Sequence, residues 1–311
     1  TITVYTVFRQ GIRINTDNTI INNKINFLFR SCWSLEDAIL KNKFNMDLAG
    51  KNLCFVACFG GIGFETCKVL MTKHLKTLIL LDHLYNEEAM NEIKAMDSNC
   101  SVLFYRFDVT KDSKKLTAII DDVGVIDVFI YGAGICNDHE IELTVQTNFV
   151  GLMKALSVVF PHMDKSRGGK GGMIACISSV VGLDVLAAMP VYSATKSAMI
   201  SAIRALAHPT LFPQTGVSLM TVCPTLTRTP LLNNMQTFLD LDTNFTKIAR
   251  DLPGQQADVC ARNIVVAIEK GQNDSVWLLD MGKLELLDMK KYWTIPDVLH
   301  DTLLEQLNKD F

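Results

Sequence analysis

From residue 46 onward, short apolar runs alternate with stretches in which apolar and polar positions recur at helical spacing. The runs at 53–57, 77–81, 102–107, 125–131, 173–178, 217–223 and 275–279 are strand-sized and rich in Val, Ile, Leu and Phe. The stretches between them, at 63–73, 87–96, 114–123, 142–160, 192–207 and 257–269, carry the 3.6-residue period of helices. Runs such as Leu53-Cys54-Phe55-Val56 and Leu78-Ile79-Leu80-Leu81 have no polar face. A strand needs that only when helices cover both sides of its sheet. Strands alternating with helices predict one α/β domain over residues 46–281, doubly wound around a seven-stranded parallel sheet.

The two ends read differently. Residues 1–45 hold many Asn, Ile and Thr, show little periodicity and lack the order of a secretory signal. Met46 immediately precedes the first strand, so residues 1–45 are expected to be an upstream or accessory extension. Arg9, Arg13 and Arg30 among few acids leave a targeting segment as the alternative. Residues 282–311 are expected to form a tail, with apolar residues at helical spacing over 298–307.

Composition narrows the function classes. Hydrophobic residues are 49% of the chain and charged residues 20%, which excludes a disordered protein. A net charge of -3 without a basic block gives no electrostatic case for nucleic acid or an anionic membrane. The richest apolar run, 75–81, contains Lys76 and falls well short of the ~20 residues of a spanning helix. The nine cysteines include no C-x-x-C pair, and Cys54, Cys58, Cys67, Cys176 and Cys223 sit singly in apolar stretches. A reduced, cytoplasmic protein is therefore expected, with no metal site. The six histidines show no ligand spacing either.

Chemistry first appears after the opening strand, where Cys58-Phe59-Gly60-Gly61-Ile62-Gly63 turns into a helix. Backbone N–H groups of Gly60, Gly61, Ile62 and Gly63 at a helix start attract a pyrophosphate, as in Rossmann-type dinucleotide folds. Asp82 ends the second strand, where a carboxylate accepts hydrogen bonds from an adenosine ribose and repels a 2′-phosphate. NAD is the cofactor this predicts. The alternative for Asp82 is a strand-end cap. Cys58 stands at the first position of the G-x-G-x-x-G spacing; if that position needs φ > 0, a side chain there costs about 1 kcal/mol and weakens the cofactor site. Asp108 and Val109 end the third strand near an expected adenine, and Gly132-Ala133-Gly134 ends the fourth; ordinary turn chemistry explains either equally well.

Further on, Tyr192 and Lys196 are four residues apart at a helix start, which places them on one face. Ser178 and Ser179 close the preceding strand. A tyrosine is a poor base at its ordinary pKa of about 10; bringing it to about 7 takes about 4 kcal/mol from a nearby ammonium and a positively charged nicotinamide. A serine hydroxyl can hold a substrate oxygen while the phenolate takes its proton.

These segments together resemble the short-chain dehydrogenase/reductase family, within it the insect alcohol dehydrogenase branch and that branch's alcohol dehydrogenase-related line. The likeness lies in Phe-Gly-Gly-Ile-Gly (59–63), Val-Leu-Met-Thr-Lys (69–73), Leu-Leu-Asp (80–82), Asp-Val-Thr (108–110), Gly-Ala-Gly (132–134), the glycines of 168–172 and Val-Tyr-Ser-Ala-Thr-Lys (191–196). The resemblance implies Tyr192 as base, Lys196 as its pKa-lowering and ribose-binding partner, and Ser179 as substrate orienter. It implies Asn148 as support for a proton-relay water and Thr229 as a contact to the nicotinamide carboxamide. It also implies a homodimer built on the long helices. Departures from the family pattern are Cys58, Tyr131 in place of Asn, Cys223 in place of Asn, and Thr225 in place of Gly. The expected function is NAD-dependent interconversion of a small alcohol, secondary by preference, and its ketone or, for a primary alcohol, its aldehyde. Apolar residues Leu231, Leu232, Met235, Phe238 and Leu239 favour an uncharged substrate. The alternative is a catalytically silent dinucleotide-binding paralogue.

Overall fold

The computed structural model describes residues 45–208, 211–238 and 251–289. The expected extension before residue 45, the helical stretch at 298–307 and Leu239 lie outside them.

Strands β1 (Asn52–Val56), β2 (Thr77–Asp82), β3 (Ser101–Arg106), β4 (Val128–Tyr131), β5 (Gly172–Ile177), β6 (Val217–Pro224) and β9 (Ser275–Asp280) are the seven expected from the sequence. They pair in parallel in the order β9-β6-β5-β4-β1-β2-β3. An eighth strand, β10 (Lys283–Leu286), joins β9 antiparallel, so the sheet runs past the expected boundary at 281. Two short strands, β7 (Thr227–Arg228) and β8 (Gln255–Gln256), form a separate parallel pair.

Between the strands lie helices α1 (Gly61–Met71), α2 (Glu87–Met96), α3 (Ser113–Val123), α4 (Ile141–Val145), α5 (Gly151–Met163), α6 (Pro190–Leu206), the short α7 (Phe212–Thr215) and α8 (Ala257–Lys270). The period of two decides which helices each side chain meets. Leu53, Phe55, Leu78, Leu80, Val128 and Ile130 point to the face covered by Leu70 of α1, Ile93 of α2 and Ile264 of α8. Cys54, Val56, Ile79, Leu81, Phe129 and Tyr131 point to the opposite face, against Ile119 of α3, Leu156 of α5 and Ile203 of α6. A fully buried Leu or Phe contributes about 1.5–3 kcal/mol relative to exposure, so two complete layers make the sheet the stable scaffold for everything at its edge.

The expected single helix over 142–160 is three pieces. Between α4 and α5, residues Gln146–Val150 form a π-turn, in which the Gly151 N–H reaches back to the Gln146 carbonyl. By length and apolar content the run Ile141–Met163 matches a membrane span, but Leu152, Ala155, Leu156, Val159 and Met163 are buried against the sheet. The strand order reverses between β4 and β1, which opens a crevice at their C-terminal ends.

Candidate active site

The glycine turn after β1 is tightly constrained. A Cβ on Gly63 would collide with the carbonyl oxygen of Ala57 and lie 3.0 Å from that of Cys58. A Cβ on Gly132 would come within 2.9 Å of the Phe55 ring, and one on Gly134 within 3.0 Å of Lys196 Nζ. Helix α1 starts behind Gly60 with no side-chain cap and no acid in its first turn. Such a helix start presents unpaired N–H groups and a positive dipole end to an anion. Ile62 itself packs into the core beneath α1.

The backbone strain lies one residue earlier than expected. Ala57 has φ 64°, in the left-handed region, whereas Cys58 is not among the non-glycine residues of positive φ. Cys58 is fully buried, its thiol 4.0 Å from Asp82 Oδ2. Burial raises its pKa far above the ordinary thiol range. It is a core side chain in the wall of the turn.

Asp82 is buried at the end of β2 and its carboxylate is already engaged. Oδ2 accepts from the Phe59 N–H at 2.9 Å; Oδ1 accepts from the Leu84 N–H at 3.3 Å and faces His83 Nδ1 at 3.0 Å. These are the bonds of a strand-end cap, and they tie β2 to the glycine turn. At the end of β3, Asp108 Oδ1 accepts from both the N–H (2.9 Å) and the hydroxyl (2.6 Å) of Thr110, which is turn chemistry. Val109 packs inward with Leu103 and Phe149 around the second core layer.

Helix α6 is pinned at residues 196 and 197. Ser178 Oγ donates to the Lys196 carbonyl at 2.9 Å, and Ser197 Oγ to the Gly182 carbonyl at 2.9 Å. Tyr192, Ser193, Thr195, Lys196 and Met199 are all buried. Ser179 hydrogen-bonds the Tyr192 phenol. Lys196 Nζ donates to the Ile177 carbonyl at 3.2 Å and lies 5.7 Å from the centre of the Tyr192 ring. The serine, the tyrosine and the lysine therefore converge.

Asn148 joins them through the π-turn. Its side chain is fully buried, Oδ1 accepting from the Ile135 N–H at 2.8 Å and Nδ2 donating to the Ile135 carbonyl at 2.9 Å and to Thr195 Oγ1 at 3.0 Å. It clamps the loop after β4 to α6. Tyr131, where the family pattern has Asn, supports that turn from below. Its hydroxyl donates to the Thr147 carbonyl at 2.8 Å, and Gly151 leaves room for it.

Without a nicotinamide beside them, burial sets the ionisation of the pair. Burial pushes the Tyr192 phenol well above its ordinary value, the Cys136 thiol adds to this, and only the Ser179 hydrogen bond opposes it. Burial pushes Lys196 below its ordinary value. Burial dominates both shifts, each of which disfavours the charged form of its group.

Cys136 and Met189, which the sequence did not single out, complete the pocket. Cys136, Met189 and Met235 are buried around Tyr192, with Val181, Leu186 and Leu231 packed against them. Leu231 and Met235 thus come to the site as expected, while Phe238 is exposed. Asp138, also buried, accepts from the N–H groups of Val191 (2.8 Å) and Tyr192 (2.9 Å). Nothing in the polar stretch 137–140 marks it out in the sequence. Thr229 lies across the crevice, where a Cβ on Gly61 would sit 2.7 Å from its Cβ and Cγ2. Of the other departures, Cys223 is core, and Thr225 pins its loop to β9 by donating to the Leu279 carbonyl at 3.1 Å.

The family profile described as short chain dehydrogenase matches residues 51–240. The chain is 40% identical over 256 residues to the alcohol dehydrogenase-related 31 kDa protein of Drosophila lebanonensis, covering 81% of this chain and 95% of that one. Among solved structures, levodione reductase superposes with a TM-score of 0.63 at 22% identity, over 76% of this chain and 98% of its own. A 3-ketoacyl-(acyl-carrier-protein) reductase from Brucella melitensis complexed with NADH gives 0.61 at 19% identity, over 76% and 98%.

Proposed function

The chain belongs to the short-chain dehydrogenase/reductase family of oxidoreductases, and from that premise we propose that it interconverts a small secondary alcohol and its carbonyl compound with NAD. The observation that carries this is the convergence of Ser179, Tyr192 and Lys196 in one apolar pocket, with Asn148 clamping the loop beside them. The residues present fit a dinucleotide. The uncapped start of α1 would hold a pyrophosphate, Gly61 and Gly63 would allow its close approach, Asp82 would disfavour a 2′-phosphate, and Thr229 borders the same turn.

When bound, the nicotinamide supplies the hydride acceptor and a positive charge near the phenol. Ser179 holds the alcohol oxygen by hydrogen bonding. Tyr192 accepts the hydroxyl proton, and the Lys196 ammonium stabilises the phenolate. Cys136, Met189 and Met235 exclude water and offer no charged partner to a substrate, which favours an uncharged alcohol.

A second reading, a dinucleotide-binding protein without turnover, is favoured by two observations. The Asp82 carboxylate already accepts from two backbone N–H groups and faces His83, and Thr229 stands where a Cβ on Gly61 would be. One experiment separates the readings: titrate NAD into the purified chain, then follow reduced cofactor with propan-2-ol present. Turnover that Tyr192→Phe removes supports the enzyme; binding without turnover supports the silent protein.

A further inference from the structure

We infer that Asp138 is a positioning residue that couples closure of the strap formed by residues 227–238 to the placement of the Tyr192 phenol. The inference rests on the reading that Tyr192 carries the proton transfer.

The argument starts from the N–H groups at the head of α6. Its N-cap, Met189, offers no side-chain bond, and Pro190 has no N–H. The Met189 N–H goes to the Leu186 carbonyl at 3.2 Å, and the Ser193 N–H makes the first bond within the helix, to Met189 at 3.1 Å. That leaves the N–H groups of Val191 and Tyr192, which any helix must satisfy from outside. The two oxygens of Asp138 take one each, at 2.8 and 2.9 Å. A buried carboxylate from a loop 53 residues away thus fixes where the helix begins, and Tyr192 is its third residue. The carboxylate also meets the positive end of the helix dipole, which compensates a charge that is 1% exposed.

The same loop holds the strap. The Asp138 N–H donates to the Gln236 carbonyl at 3.0 Å, the Gln236 N–H donates to the Cys136 carbonyl at 3.1 Å, and Asn137 bridges Gln236 in strand-like pairing. The Phe238 N–H reaches the Ala188 carbonyl, just before α6, at 2.9 Å. Met235 then lies against Tyr192 itself. One residue therefore grips the catalytic helix with its side chain and the strap with its backbone. If the strap lifts, residues 136–138 lose their only strand-like pairing among the described residues, and the carboxylate that sets Tyr192 against Ser179 moves with them.

The test is hydrogen exchange by mass spectrometry on the whole chain, with kinetics alongside. Asp138→Asn keeps the shape but turns one acceptor into a donor facing an N–H. The expected result is exchange at least about tenfold faster both in residues 189–193 and in residues 227–238, with α1 unchanged. In turnover with NAD and propan-2-ol, kcat falls at least about tenfold and KM for the alcohol rises, while KM for NAD holds. Loosening of 189–193 alone, or of neither segment, overturns the coupling. So does an unchanged kcat in a variant whose helix start has loosened. Should Asp138→Asn fail to fold, Gln236→Pro tests the link from the other side by deleting the strap's N–H: faster exchange at 189–193 supports the inference and unchanged exchange there overturns it. A wild-type chain without turnover refutes the proposed reaction, and the exchange results still decide the coupling.

Discussion

Tyr131 and Gly151 form a lock that a double-mutant cycle can measure. The Tyr131 hydroxyl donates to the Thr147 carbonyl at 2.8 Å within the π-turn. A Cβ on Gly151 would lie 2.6 Å from that hydroxyl, 3.1 Å from Val109 Cβ and 3.2 Å from the Gln146 carbonyl. Tyr131→Phe leaves the partly buried carbonyl without its donor, a loss of about 1–3 kcal/mol. Gly151→Ala forces apart a fully buried ring and a helix, costing about 1–3 kcal/mol, against about 1 kcal/mol gained in helix propensity. In the Tyr131→Phe background the shortest contact has no atom to meet, and the alanine becomes neutral or stabilising. The two changes should therefore couple favourably by about 1–2 kcal/mol. Urea unfolding of the four proteins gives the value, with unchanged m confirming that the same surface unfolds. Effects that add within about 0.5 kcal/mol would refute the claim that the hydroxyl, rather than the ring, occupies the glycine's space.

Other consequences follow from single contacts. Ala57→Gly relieves the left-handed residue and stabilises by up to about 1 kcal/mol, whereas Cys58→Gly loses a buried side chain and destabilises by about 1–3 kcal/mol; thermal melts should show opposite signs. Gly61→Val meets Thr229 across the crevice, so it should lower the melting temperature and also weaken NAD binding at least about tenfold by calorimetry on the folded protein; equal affinity would remove that turn from the cofactor path. Burial lifts the Asp274 carboxyl above its ordinary range although Arg204 opposes it. The folded state thus holds that proton more tightly than the unfolded chain, so this group favours folding in acid and the contribution fades as pH rises above about 4. Asp274→Asn, which tolerates the backbone there (φ 55°), should remove that slope from urea unfolding followed between about pH 4 and 6.

Much of the fold is legible in the sequence because the strands are buried on both faces. Leu78-Ile79-Leu80-Leu81 announces itself by composition, and its end at Asp82 follows from the first charge. Helix α2 keeps the expected span, 87–96, because its apolar positions keep period; in the structure Asn86 caps it by accepting from the Ala89 N–H. What escapes has local causes. The π-turn at 146–150 inserts an extra residue without breaking the apolar pattern, so 142–160 reads as one helix. Strand β10 is four residues long with alternating Leu, which resembles any tail. The left-handed residue is Ala57, where a glycine count points to Cys58. In the site, Tyr192, Lys196 and Ser179 stand out by type and spacing. Asp138 does not, because its partners are backbone N–H groups 53 and 54 residues away. The ionisation of Tyr192 depends on burial, which spacing does not report.

The phenol itself is the place to test the central claim. In an ultraviolet difference titration of wild type against Tyr192→Phe, the cofactor-free chain should show no ionisation of Tyr192 below about pH 10, since burial holds the proton on. With saturating NAD, a tyrosinate signal belonging to Tyr192 should appear well below that pH. Identical wild-type and variant spectra in saturating NAD, across the same range, would contradict the account.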